Sequence, residues 1–266
     1  MKSSELTLLK LGGSVITLKD KPLTPNTTAI KRLADEISES RCLPLIIVHG
    51  GGSFGHPIAA KYGIVDGFKS REQIIGFSET HNSMIALNML IVEALIDRNI
   101  PAFSVSPSSF IVTRRGRICR IYRDVLDQAL KLDLIPVLYG DAVFDYDMGF
   151  TILSGDQLVS ELAIEFDAKK VIVGVDVDGL YTEDPKINPN AQLITDINVS
   201  RLKEVLIKIE GSKTIDVTGG MMGKISELIN CVMKGIDVLI VNALKPGNIY
   251  GALKGEKVVG TKIVKE

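Results

Sequence analysis

Tryptophan is absent from this chain, aromatic residues make up only 5% of it, and its three cysteines stand far apart. Cys42, Cys119 and Cys231 form no CxxC pair and no His/Cys ligand spacing, which argues against a zinc site or a disulfide framework. Thiols scattered in this way suit a reducing compartment. No stretch reaches the roughly 18 uninterrupted apolar residues of a membrane-spanning helix. The opening MKSSELTLLKLGGS lacks the layout of a secretory leader, so a cytoplasmic location is expected. A net charge of −1 exerts no overall pull toward nucleic acid or membrane. Several motifs are missing too. Without GxxxxGK[ST] the chain is no P-loop NTPase, without GxGxxG after a strand a dinucleotide site is unsupported, and protein-kinase HRD and DFG sets do not occur. A G-x-S-x-G does occur at Gly51–Gly55, but the only histidines are His49, His56 and His81, and the hydrolase order needs one after the acid.

What is present is an alternation. At 266 residues, 45% hydrophobic and 24% charged, the chain can bury a large core. LTLLKL (Leu6–Leu11), LPLIIV (Leu43–Val48), IPVLYG, KVIVGVD and IDVLIVNA read as strands with the continuous apolar character of a sheet buried on both faces. Between them, helical spacing predicts helices over Thr28–Ser40, Glu72–Arg98, RDVLDQALKL, DQLVSELAIEF and MMGKISELINCVMKG, the last stopped by Gly235. FDYDMGFTIL reads as a hairpin around Asp147–Gly149. Strands alternating with helices predict an α/β fold with a mainly parallel sheet, and a division near residues 167–171 is expected. Ligands of such sheets lie beyond the carboxyl ends of the strands.

Those strand ends are rich in glycine: GGS (Gly12–Ser14), HGGGSFGH (His49–His56), GD (Gly140, Asp141), SGDQ (Ser154–Gln157), DVDGLYTEDP (Asp176–Pro185) and, opening a helix, DVTGGMMGK (Asp216–Lys224). Any one of them is equally a tight strand-to-helix turn. Together they predict a polyphosphate along the sheet edge, because successive backbone N–H groups and helix starts form anion sites. Lys10 lies among Leu8, Leu9 and Leu11, where an unpaired charge is costly. Lys224 sits at a helix start, unfavourable unless an anion is near. Lys19, in ITLKDKP, reads alone as a solvated lysine in a loop.

In this order, LKLGGS, VHGGGSFGHP, SGDQ, DVDGLYTEDP and DVTGGMMGK resemble the amino acid kinase superfamily, and GGGSFGH is most similar to its isopentenyl phosphate kinases. The fosfomycin kinases share that histidine and are the alternative, as is another small-molecule kinase of the superfamily; a non-catalytic nucleotide sensor is a third reading. The resemblance implies a three-layer αβα sandwich, with an N-terminal lobe (1–168) for the phosphate acceptor and for dimerisation, and a C-terminal lobe (169–266) for ATP. It implies transfer of the γ-phosphoryl group of ATP, with Mg2+, to isopentenyl phosphate in archaeal-type isoprenoid synthesis, by a homodimer with no nucleic-acid or membrane partner.

The resemblance also implies roles. Gly51, Gly52 and Gly55 offer N–H groups to phosphates, His56 donates to the acceptor phosphate, and Gly155 touches the acceptor. Lys10, Lys19 and Lys224 surround the transferred group, with Asp156 orienting lysines by ion pairing. Gly12, Gly13, Ser14, Asp176, Gly179, Tyr181, Gly219 and Gly220 hold the nucleotide, the TGG of Thr218–Gly220 closing over it. His49 is expected to be structural. His81 is expected to be structural or to line the cleft for the apolar tail, which Ile74–Leu90, with Phe77 and Thr80 one turn apart, would wall.

Overall fold

The computed structural model describes residues 5–183, 185, 188, 190–202 and 219–265, with backbone alone at 219–222 and 224. Among the described residues, the central sheet has β1 (Thr7–Leu11) in its middle, flanked by β2 (Leu45–His49) and β9 (Lys170–Val175). Beyond β2 lie β6 (Ile135–Tyr139) and the edge strand β3 (Ala102–Ser104); beyond β9 lie β13 (Asp237–Asn242), β14 (Gly260–Val264) and β12 (Asp196–Asn198). Every neighbouring pair is parallel except β13–β14. The strand expected from Leu43 begins pairing at Leu45, after a proline that has no N–H to give, and ends at His49.

Side chains alternate across the sheet and fill two cores. Leu9, Leu11, Ile47, Val137 and Ile172 pack against α2 (Thr27–Ser40), α4 (Glu72–Ile96) and α8 (Asn248–Lys254). Leu8, Ile46, Val48, Leu138 and Val173 face the other way, toward α5 (Asp124–Lys131), α6 (Gly155–Glu165) and α7 (Gly219–Met233). This is the αβα sandwich. The expected division at 168/169 falls between α6 and β9, and the sheet runs across this point without interruption. Although α4 is 25 residues long, no helix of the described residues is long and apolar enough to cross a membrane.

A second sheet stands over one end of the first, in the order β5 (Arg117–Ile121), β4 (Ile111–Arg114), β7 (Asp141–Asp145), β8 (Gly149–Leu153). The β7–β8 hairpin turns where the sequence places it. The β4–β5 hairpin carries no such signal, because RICRI is arginine-rich and largely exposed and so lacks an alternating apolar face. Short elements complete the frame: α1 (Gly13–Ile16) after β1, α3 (Gly52–Tyr62) after β2, and a ribbon of β10 (Leu180–Tyr181) with β11 (Leu193–Ile194) after β9.

One buried clasp ties α2 to α8. Glu36 accepts from the guanidinium of Arg32 and from the N–H groups of Ile249 and Tyr250, each at 3.0 Å, while Arg32 also donates to the carbonyl of Ala243. The carboxylate thus meets the positive end of a helix as well as a cation. Glu36→Ala leaves the arginine and two N–H groups without their acceptor, and is expected to cost about 3–5 kcal/mol. Urea unfolding checks this: the midpoint should fall at constant slope, with Glu36→Gln losing less, and an unchanged midpoint would show that the clasp is dispensable.

Candidate active site

The loops after β1 and β2 are interlocked. A Cβ on Gly13 would stand 2.3 Å from the nitrogen of Gly52, and one on Gly52, whose φ is +48°, would meet the hydroxyl of Thr17 at 2.1 Å. Only glycine lets these backbones approach so closely. Thr17 links the two loops, donating to the carbonyl of Gly13 at 2.8 Å and accepting from the N–H of Ser53 at 3.0 Å. No feature of GGSVIT announces that role. Beside them, α6 begins so near β2 that a Cβ on Gly155 would lie 3.1 Å from the carbonyl oxygen of His49. The starts of α1, α3 and α6 therefore meet at the carboxyl ends of β1 and β2, and first-turn N–H groups have no partner within their own helix. Gly12, Gly13, Ser14, Gly51, Gly52 and Gly155 are brought together here, with Gly55 one turn into α3.

Lys10 is 2% exposed and ion-pairs with Asp156 in the first turn of α6. Ser154 caps that helix by accepting from the N–H of Gln157 at 3.1 Å, which fixes the turn carrying Asp156. Lys19 lies in the turn after α1 and pairs with Asp176, at the end of β9, at 2.9 Å. His56 is exposed on the second turn of α3. Helix α7 begins at Gly219, with Gly220 next; Thr218 and the Lys224 side chain lie outside the described residues.

Near Asp176 the structure joins the DVDGLY motif to two residues that the sequence did not single out, Asn242 and Lys245. Asp178 accepts from Asn242 at 3.0 Å, from Lys245 at 2.8 Å and from the hydroxyl of Tyr181 at 3.3 Å. Lys245 holds its carboxyl below the usual range. Gly179 packs where a Cβ would lie 2.4 Å from the Thr261 hydroxyl. The sequence signal for these two was position: Asn242 ends β13 and Lys245 follows it, as the motif residues follow other strands.

The other histidines differ from each other. His49 is wholly buried; burial drives its pKa down to about 4, so it is neutral. Nδ1–H donates to the carbonyl of Gly50 at 3.1 Å and Nε2 accepts from Asn88 at 3.1 Å. It therefore anchors the glycine loop. His81 lies 3.0 Å from both oxygens of Asp141, whose hydrogen bond raises the imidazole's pKa. Burial pushes Asp141 up, and His81 with the N–H groups of Ala142 and Ser108 pulls it back. One turn before His81, Phe77 packs on Phe144 and Phe150 with ring centres 5.3 and 5.4 Å away, and these rings form an apolar wall with Ile64 and Ala142. Thr80 is buried and bonds to the carbonyl of Gly76, away from any role in the wall.

Comparison with known proteins fits this geometry. The profile of the Amino acid kinase family matches residues 5–242. A protein of Methanothermobacter thermautotrophicus described as isopentenyl phosphate kinase is 42% identical over 264 residues, covering 96% of this chain and 98% of the relative. Its namesake from Methanocaldococcus jannaschii is 37% identical, with 97% and 98% covered. A crystal structure described as that of isopentenyl phosphate kinase superposes with a TM-score of 0.85 at 39% identity, over 97% of this chain and 100% of the other.

The two histidines should separate in an NMR titration of the imidazole nitrogens. His81 should titrate above the ordinary 6.5 and move back toward it in Asp141→Asn, whereas His49 should stay neutral down to about 4. The linkage signs are opposite. His49, with its folded pKa depressed, contributes stability above 6.5 that is lost as pH falls toward 4; His81 contributes stability below 6.5 that is lost as pH rises through its raised folded value. A midpoint for His81 at or below 6.5 would contradict the ion pair.

Proposed function

The chain belongs to the amino acid kinase family, in its isopentenyl phosphate kinase branch, and from that premise we propose how its residues carry out the reaction. The enzyme transfers the γ-phosphoryl group of ATP to isopentenyl phosphate. An acceptor phosphate oxygen bonds to the γ-phosphorus, the bond to the bridging oxygen breaks, and isopentenyl diphosphate and ADP result. The acceptor oxygen is already anionic near neutral pH, so no general base is required. The obstacle is repulsion between two polyanions, and catalysis consists of positioning and charge neutralisation.

The observation that carries the assignment is Lys10, buried and aimed by Asp156 at the junction of the glycine loops. In this reading the first-turn N–H groups of α3 and α6, at Gly51, Gly52 and Gly155, cradle the acceptor phosphate, and His56 donates to it. Lys10 neutralises the transferred group, joined by Lys224. Lys19 leaves Asp176 for the nucleotide's phosphates when ATP arrives. Gly12, Gly13 and Ser14 pass beneath those phosphates, while Asp176, Gly179, Tyr181, Gly219 and Gly220 line the nucleoside end. The wall of Phe77, Phe144 and Phe150 takes the isoprenoid tail. Mg2+ carried on the phosphates of ATP would supply charge neutralisation there; Asp156 and Asp176 already face lysines, which suits an ion held by phosphate and water rather than by a carboxylate cage.

The same reading includes a homodimer in the cytoplasm. Ile75, Met89 and Ile96 are exposed on α4 at seven-residue multiples, an apolar seam of the kind that packs against another helix. Light scattering should give a dimer mass that Met89→Glu shifts toward monomer; a monomer in the unaltered protein would refute it.

The activity is tested by ADP release with isopentenyl phosphate, fosfomycin and N-acetylglutamate in parallel. Turnover is expected with isopentenyl phosphate, and turnover with the amino acid alone would overturn the acceptor-site reading. Lys10→Ala and His56→Ala should each lower kcat by about 10²–10³ with the fold intact, the usual cost of one aimed donor. Fully active, folded variants would remove those residues from the mechanism.

A further inference from the structure

The β4–β5 hairpin supplies nothing to the glycine junction, yet it is held at three points by residues that do border the site. Gln157, next to Asp156, donates to the carbonyl of Gly116 at 3.1 Å and accepts from the N–H of Ile118 at 2.8 Å. Asp145, on the hairpin of the apolar wall, accepts from the N–H groups of Arg115, Gly116, Asp147 and Met148 and from the hydroxyl of Thr113, at 2.8–3.1 Å. Burial opposes its ionisation, but these donors prevail and hold its carboxyl at about 2. The third point is Arg117, the first residue of β5. Its guanidinium forks onto both oxygens of Glu227 in α7, Nη2 lying 2.8 Å from Oε2, with Glu161 of α6 3.6 Å away. The same turn of α7 is gripped from behind, since Ser160 of α6 donates to the carbonyl of Glu227 at 2.6 Å.

Glu227 stands three residues after Lys224, about one turn along the same helix. A force on Glu227 therefore sets the rotation and tilt of the segment that carries the lysine. The Arg117 side chain is half exposed, and exposed ion pairs contribute little to global stability. A planar two-pronged bond nevertheless fixes orientation, which a single-point contact does not. Low stabilising value combined with strict geometry is the signature of a positioning contact.

We propose that Arg117 is a positioning residue for phosphoryl transfer: its fork on Glu227 seats the start of helix α7, and with it the backbone of Lys224, and the hairpin ties that seating to the apolar wall. The proposal rests on the reading of Lys224 as a phosphate-neutralising lysine.

The test is a mutant cycle on the full-length enzyme, with kcat, KM for each substrate and melting temperature measured for every variant. Arg117→Ala should lower kcat by about 10- to 10²-fold, the scale of a small misplacement, with KM for isopentenyl phosphate and the melting temperature little changed. Arg117→Lys should recover only part of the loss, and exchanging the charges in Arg117→Glu/Glu227→Arg should recover most of it. Arg123→Ala removes another exposed arginine, paired with Asp127 and Glu165 rather than with α7, and should leave kcat unchanged. Because Arg117 acts through Lys224, adding Arg117→Ala to Lys224→Ala should cost almost nothing more. Additive losses, wild-type kinetics in Arg117→Ala, an equal fall in Arg123→Ala or a failed charge exchange would each refute the proposal. Full activity in Lys224→Ala would refute the lysine's role, and the proposal with it.

Discussion

A lysine in the middle strand of a buried parallel sheet needs a counter-charge, and the organisation of this molecule's candidate site follows from where that charge is placed. Asp156 meets Lys10 from the first turn of α6, so α6 must start against the carboxyl end of β1. Docking there presses Gly155 onto the carbonyl of His49 and admits no side chain between them. Stability alone does not explain such a pair, since a buried ion pair commonly gains little over apolar residues of the same volume. What it provides is a cation held in one place, desolvated in advance, at the point where three helix starts converge. That is electrostatic preorganisation of the kind phosphoryl transfer uses.

The glycine loop has its own support. His49, neutral and bonded at both ring nitrogens, fixes the carbonyl of Gly50, and thereby the direction in which the following N–H groups point. The tautomer is set by Asn88, a residue of α4. The same helix carries Phe77 for the apolar wall and His81 for the pair with Asp141. One helix thus carries side chains that support the glycine loop and side chains that build the apolar wall.

Much of the architecture was legible because it is periodic. Continuous apolar strands, helical spacing in between and the Asp147–Gly149 turn gave the α/β class with its mainly parallel sheet, while the three layers were implied by the family resemblance. The glycine motifs at strand ends placed most of the candidate residues on one edge. Contacts between distant positions were not legible. SGDQ marked Asp156, but nothing local says that its partner is 146 residues away. Nor does ITLKDKP say that Lys19 pairs with Asp176, at the end of a strand far along the chain. Likewise the sequence of α2 does not mark Glu36 as buried, since what covers it is α8, from near the other end of the chain. The β4–β5 hairpin escaped notice because its strands carry charge where a strand pattern needs alternation; those charges serve other elements.

Joining two polyanions requires a fixed distance between two sites and some freedom in the groups that neutralise them. The two requirements fall on different parts of this chain. The sheet provides the distance: β1 pairs with both β2 and β9, and the N–H of Gly12 bonds to the carbonyl of Gly174 at 2.8 Å, so the loops proposed for acceptor and nucleotide follow strands that are hydrogen-bonded through β1. The freedom lies in an ionic contact near the surface, Lys19 with Asp176. Such contacts are weak enough to exchange partners when phosphate arrives.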